Sequence, residues 1–344
     1  MPTSILDDPK RKEKLLSMLA DAKKGEVQNQ FDAEALFEKI TERVIGQDPI
    51  VRRITEKIDE ASYLKNRDKP IISILISGPS GTGKTELAKS LADAVFGEDD
   101  KYLYRLDCGG QGSSEADMAA VTGSVGVYTG SSRGSLPDYL LAKKKGVLLF
   151  DEIERAVTSP DAPLAKMMLS LLDEGRVQSK YDSTVHSAKD CIVVMTSNAI
   201  QEELAKLMAE TSLETLEDQE ALEVSVKELL LRDKIFAPEF LNRIDLVTSV
   251  QPLNDEALLG ISGKVFFSIM EGYGIEPDIS DASCNFFFVE AAQTLENTDA
   301  RSLERWMRTR IKSGLAEYRK AGGGDTAKIK VKGDAVTLHP VKSK

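Results

Sequence analysis

The sequence predicts an α/β protein: a three-layer domain with a parallel sheet, then a smaller α+β, mostly helical domain. Three observations predict it. The runs Ile71–Ser77, Val147–Asp151 and Ile192–Ser197 are predominantly apolar, the first interrupted only by Ser73 before its end, as strands buried on both faces of a parallel sheet are. Helical periodicity separates those runs over residues 40–250, the alternation of a parallel α/β fold. Beyond Pro252 the pattern changes to amphipathic helices at 254–271, 282–295 and 301–319. A Gly322-Gly323-Gly324 break then leads into a terminal hairpin around Lys332-Gly333-Asp334. The expected boundaries are a charged extension over 1–30, a large domain over 31–250 and a small domain over 251–344.

Composition narrows the classes. A chain of 344 residues has room for about two domains with cores of their own. A net charge of −11 argues against nucleic acid as a partner. No apolar run approaches the roughly 20 residues of a membrane span, and Met1 to Lys14 has no signal-peptide character. The 3 cysteines show no paired spacing, which points to a reducing, cytoplasmic setting, and 2 histidines leave little for a His/Cys zinc site.

In chain order, Lys10-Arg11-Lys12-Glu13-Lys14 and the following Leu15, Leu16, Met18 and Leu19 fit a solvated helix and linker, or a docking helix for an adaptor or neighbouring subunit. Phe31, Ala35, Leu36, Ile40 and Val44 fall at helical spacing, ending at Gly46. A second helix is expected from Pro49 to Leu64. The apolar strand at 71–77 then runs into Gly78-Pro79-Ser80-Gly81-Thr82-Gly83-Lys84-Thr85, and Glu86 onward is helical. Strand, glycine loop and helix in that order form a phosphate-binding P-loop. Its glycines let backbone N–H groups converge on an anion, and the helix terminus adds partial positive charge. Lys84 then reaches the β- and γ-phosphates, and Thr85 holds Mg²⁺. Glu86 follows in the same cradle.

Hydrolysis needs more. The Val147 strand ends in Asp151-Glu152, a carboxylate for the Mg²⁺ water shell beside one that can orient and deprotonate the attacking water. The next strand ends in Thr196-Ser197-Asn198, whose amide either caps a following helix or bonds the water or γ-phosphate. Arg243, in Pro238-Glu239-Phe240-Leu241-Asn242-Arg243-Ile244-Asp245, is alone a surface charge or a partner of Asp245. Arg301 opens a helix of the small domain.

Taken together, RVIGQD, GPSGTGKTELAKSLA, LLFDEIERA, LDEGR, VVMTSN and APEFLNRID resemble, in order and spacing, the AAA+ Clp unfoldase family. The likeness is to the second, C-terminal AAA+ domain of ClpB-type disaggregases and ClpA, over roughly Glu42 to Leu338. It implies an AAA+ P-loop NTPase domain with a small lid domain, ATP and Mg²⁺ as cofactors, and a homo-oligomeric, hexameric ring. By the same likeness Val44 and Ile45 contact adenine, Asn198 is the first sensor, and Arg243 is an arginine finger for the neighbouring subunit's ATP. Arg301 is the second sensor, although Asp299 stands where the family has glycine. Tyr128, in Gly126-Val127-Tyr128-Thr129-Gly130, matches the aromatic pore residue that grips polypeptide, with Val127 where glycine is usual. A second pore loop is expected in Val177 to Ser187, with Lys180 and Tyr181 near its tip. No Ile-Gly-Leu or Ile-Gly-Phe tripeptide lies between Ala199 and Phe236, so docking to the ClpP peptidase is not expected. The implied function is an ATP-dependent unfoldase that threads polypeptide, acting as a single ring or as part of a larger protein. Two other readings stay open: a nucleotide switch or assembly factor that does not thread, and a nucleic-acid motor, against which the acidic balance weighs.

Overall fold

The computed structural model describes residues 31–341 apart from 65–66, 98–99, 111–113, 126–130, 158, 160, 212, 214, 297 and 334. The expectations for residues 1–30 and for Tyr128 lie outside the described residues.

Helix α1 (Ala33–Thr41) starts at Asp32, whose carboxylate accepts from the N–H groups of Glu34 and Ala35. Helix α2 (Asp48–Ser62) has Pro49 in its first turn, where no N–H is missed. Strand β1 (Ile72–Ser77), buried at every position, leads through the P-loop into α3 (Lys84–Phe96). Then follow β2 (Leu103–Asp107), α4 (Glu115–Thr122), α5 (Ser135–Lys143), β3 (Lys145–Asp151) and α6 (Pro163–Glu174). A hairpin of β4 (Arg176–Gln178) and β5 (Val185–Ser187) precedes β6 (Asp190–Ser197), and α7 (Gln201–Glu210), α8 (Leu216–Arg232), the short α9 (Pro238–Leu241) and β7 (Leu246–Ser249) complete this part.

The strands form one parallel sheet in the order β2-β3-β6-β1-β7. Successive residues of β3 face opposite layers. Leu148 and Phe150 join Val193 and Met195 in a core with α6 and α8, while Val147 and Leu149 join Ile74, Ile192 and Val194 against α2 and α3. That is the three-layer α/β arrangement the apolar runs predict. Strand β7 escaped the sequence reading because Leu246–Ser249 is too short to show a pattern. The stretch expected to hold a second pore loop is the β4–β5 hairpin.

The C-terminal part comprises α10 (Asp255–Gly272), β8 (Glu276–Asp278), α11 (Ser283–Glu296), α12 (Ala300–Lys320), β9 (Thr326–Lys332) and β10 (Ala335–Pro340). The expected hairpin is β9–β10. Strand β8, with Pro277 at its centre, joins it in parallel, which three residues of sequence do not signal. Phe266, Met270, Phe287, Leu303, Met307 and Ile311 form a third apolar core.

Helix α12 lies directly on β10. At Gly314 a Cβ would sit 2.1 Å from the Val336 carbonyl oxygen. Glycine inside a helix ordinarily costs about 1 kcal/mol relative to alanine, so Gly314→Ala would stabilise an exposed helix. Here the contact reverses the sign. Gly314→Ala is expected to lower unfolding stability by about 1–3 kcal/mol, read from a denaturant midpoint; an unchanged or higher midpoint would refute the close packing.

Candidate nucleotide-binding site

Lys84 is the first residue of α3, and Gly83 before it is left-handed, so the chain turns out of β1 straight into a helix N-terminus. The Lys84 side chain is buried and Nζ donates to the carbonyl oxygens of Gly78 and Pro79, both at 2.7 Å. Burial pulls its pKa down to about 8, against the opposing pull of Asp151, Glu154 and Glu152. The P-loop thus keeps a poorly solvated ammonium at its centre.

Across the sheet edge, Asp151 and Glu152 end β3. The Thr196 hydroxyl, on the adjacent β6, donates to Asp151 Oδ1 at 2.5 Å and accepts from the Glu152 N–H at 3.1 Å. Arg105 of β2, on the other side of β3, donates to Asp151 Oδ2 at 2.6 Å. Thr85 Oγ1 stands 3.3 and 3.4 Å from the two Asp151 oxygens, long for an O–H···O bond. Glu152 has φ +56°, a left-handed conformation that costs a non-glycine residue of the order of 1–3 kcal/mol. Its carboxylate accepts from Asn198 Nδ2 at 3.1 Å and pairs with Arg155 at 2.8 Å. The Asn198 N–H donates to Glu154 Oε1 at 3.0 Å, while Glu154 Oε2 is buried without a hydrogen-bond partner among the described residues.

Lys84, Thr85, Asp151, Glu152 and Asn198, five residues singled out from sequence, therefore converge on one end of the sheet. A cavity of about 380 Å³ opens beside them, bordered by Val44, Ile45, Gly81, Thr82, Gly83 and Glu86 on one side. Ile261, Val265 and Ile269 of α10 and Ala300 of α12 close the other side. Glu86 also takes an ion pair from Arg43 at 3.0 Å. Ser80 and Pro79 belong to the loop itself, Pro79 through its carbonyl. A Cβ on Gly81 would lie 3.0 Å from that of Asp299, so the P-loop is pressed against the start of α12. Asp299 caps α12, its carboxylate accepting from the Ser302 N–H at 2.7 Å, which explains an acid where the resembling family has glycine. Arg301 is exposed, one residue beyond Ala300.

Arg243 is elsewhere. Its backbone oxygen and that of Ser73 are tied to the Ser73–Asp245 hydrogen bonds at the start of β1, whereas the P-loop follows Ser77. Four residue steps of strand separate Ser73 and Ser77, about 13 Å. Its guanidinium pairs with Asp173 at 2.5 Å rather than with Asp245.

Sequence reasoning missed Arg105, Lys264, Gln47 and Glu154. Lys264 of α10 donates to the carbonyls of Glu42 and Arg43 at 3.1 and 2.8 Å. The buried Gln47 exchanges two 2.9 Å hydrogen bonds with the Gln251 backbone. The signal for Arg105 was a charge in phase with Asp107 on a strand whose other face, Tyr104 and Leu106, is buried.

Lys84 also leaves a pH signature. Because its pKa is lowered in the folded state, the unfolded chain binds more protons between pH 8 and 10.5, so stability rises with pH across that window and the charge costs most below it. Lys84→Met keeps the aliphatic stem without the charge and is expected to flatten the rise. Thermal melts of both proteins across the window check this; parallel curves would contradict it.

With this geometry in place, comparison with known proteins is informative. Residues 69–247 match the family model described as AAA domain (Cdc48 subfamily). The chain is 33% identical over 313 residues to the probable chaperone protein ClpB 1 of Chlorobaculum tepidum, covering 86% of this chain and 67% of that one. It is 30% identical over 287 residues to the chaperone protein ClpB of Bacillus cereus, covering 80% of this chain but 31% of the relative. A solved structure of Hsp104 with ATPγS and FITC-casein in a closed state superposes with a TM-score of 0.71 at 26% identity, covering 89% of this chain and 51% of that one. This chain thus spans about a third of the Bacillus relative and half of the Hsp104 chain. It belongs to the AAA domain family (Cdc48 subfamily), as an AAA+ protein of the Clp chaperone type.

Proposed function

We propose that this chain is a Mg²⁺-dependent ATPase that works as a ring, a hexamer by family likeness, and spends hydrolysis on remodelling polypeptide drawn through a central pore. Residues 31–250 form its ATPase body and 251–344 its lid, in a cytoplasmic setting. The observation that carries the reading is the division of the hydrolytic set: Lys84, Thr85, Asp151, Glu152 and Asn198 meet at one end of the sheet, and Arg243 is anchored at the other end of β1.

The residues fit the nucleotide. A buried ammonium hydrogen-bonded to backbone carbonyls is matched by phosphate, and a triphosphate there would raise the lowered Lys84 pKa again. The apolar cavity beside Val44 and Ile45 suits a purine, with Ala300 and the neighbouring Arg301 at its lid side. For the cation, Thr85 and Asp151 face each other with a loose contact. These two residues would hold Mg²⁺, which when bound would supply neutralisation of phosphate charge. Glu152 orients and deprotonates the attacking water, and Asn198, now on Glu152 Oε1, fixes that carboxylate.

Arg243 cannot serve its own chain's P-loop from the far end of β1, so a neighbouring subunit must offer its Arg243 to this site. Glu152→Gln and Arg243→Ala are each expected to lose at least about a hundredfold in turnover. Mixed together they should regain measurable ATPase activity, since one subunit then keeps Glu152 while its neighbour supplies Arg243. A mixture as inactive as its parts would sink the shared site.

Tyr128 carries the threading part of the reading. Tyr128→Ala is expected to keep ATPase activity within about twofold and lose remodelling of an unfolded reporter substrate, because an aromatic ring grips chain without reading its sequence. Intact remodelling at an unchanged ATPase rate would favour a nucleotide switch instead.

A further inference from the structure

We infer that Arg105 is an internal counter-cation for Asp151, a positioning residue that occupies the metal-facing carboxylate until Mg²⁺ displaces it. The inference rests on the reading of Asp151 as a metal-holding residue. Arg105 lies on the edge strand β2, one strand beyond Asp151 and away from the P-loop. Its Nη2 donates to Asp151 Oδ2 at 2.6 Å, and the side chain is 38% exposed, so it can leave into solvent without burying an unpaired charge elsewhere. Asp151 itself is 8% exposed. A buried carboxylate beside Glu152 and Glu154 needs a positive partner in direct contact; Lys84 lends Asp151 its charge only from a distance, since its Nζ bonds two backbone carbonyls. Arg105 makes the charged bond in its place.

The orientation of Asp151 does not depend on that bond. Thr196 holds Oδ1 at 2.5 Å from the opposite strand. Removing the Arg105 charge therefore leaves the carboxylate aimed as before and deletes a cation that competes for it. The two neighbours of β3 divide the work: β6 sets the direction of Asp151 through a neutral hydroxyl, and β2 sets its availability through a charge. Bidentate or single, a guanidinium–carboxylate contact cannot coexist with full access of a dication to the same oxygen, because two cations a few ångströms apart repel in a poorly solvated site.

The test is a magnesium titration of the full chain carrying a fluorescent ATP analogue, with the half-saturating Mg²⁺ concentration as readout. Arg105→Gln is expected to lower that concentration by about three- to tenfold, the effect of one nearby unit charge at intermediate dielectric. Arg105→Lys should stay within about twofold of the parent. An Arg105→Gln midpoint that is unchanged or raised overturns the inference. A measurement on the unmodified chain bears on it independently of any variant's folding: a structure of the Mg²⁺·ATPγS complex should show the Arg105–Asp151 contact opened, and a contact kept at hydrogen-bond length would overturn the idea. Failure of the parent chain to bind the analogue at all, with or without Mg²⁺, would instead count against the nucleotide reading itself.

Discussion

One hydroxyl holds the reactive edge of this protein together. Thr196 donates to Asp151 and accepts from the Glu152 N–H, so the last residue of β3 and the one after it are fixed from β6 by a single side chain. This works because a parallel sheet brings consecutive strand ends into line about 4.8 Å apart and leaves their last carbonyls and side chains facing one crevice. Every other element of the site uses that line. Lys84 follows β1, Asn198 follows β6, and Glu152 is turned left-handed so that its carboxylate reaches Asn198 instead of continuing the strand. Were Thr196 a valine, the sheet would survive on its apolar faces, and the two carboxylates would lose their common reference.

The C-terminal part completes the crevice from the other side by small, specific contacts. Gly81 admits Asp299 against the P-loop, Gln47 is stitched to Gln251, and Lys264 reaches the carbonyls of residues 42 and 43. Burial lowers the Lys264 pKa, as it does that of Lys84. Both ammonium groups are satisfied by backbone oxygen, Lys84 buried in the P-loop and Lys264 exposed at the wall of the cavity formed by α10. The cavity is lined at once by Arg43, Val44 and Ile45, by the P-loop and by α10, so the contacts that join the two parts also shape it.

The placement of locally encoded residues was legible in the sequence and their non-local contacts were not. Gly78–Thr85 could be read because the glycine spacing, the preceding apolar strand and the following helix are all contiguous. Asp151-Glu152 and Asn198 could be read because each ends a run whose burial is written in successive residues. Arg105, Lys264 and Gln47 carry no such signature, since their partners lie 46, 221 and 204 residues away. The partner of Arg243 was similarly hidden: Asp245 is two residues off in sequence, but it is consumed by Ser73 and Lys69, and Asp173 at the end of α6 takes the guanidinium. Short strands such as β7 and β8 stay invisible because pairing with a neighbour, not their own pattern, makes them strands.

The placement of Arg243 connects to the segment that carries Tyr128 through continuous structure. Asp173, which holds the guanidinium, is near the last turn of α6, and α6 runs directly into the β4–β5 hairpin. The tip of that hairpin is docked on the flanks of residues 126–130: the Lys180 N–H donates to the Thr122 carbonyl, Ser179 Oγ donates to the Arg133 carbonyl, and Asp182 pairs with Arg133. Those flanks are themselves drawn together, with Ser124 bonded to Ser132 and Gly123 against Gly134 so tightly that a Cβ on Gly134 would lie 2.3 Å from the Gly123 nitrogen. A side chain at either glycine would force this neck open. The neck, the hairpin tip and α6 are thus joined by hydrogen bonds and chain continuity, from Asp173, which holds Arg243, to the flanks of residues 126–130.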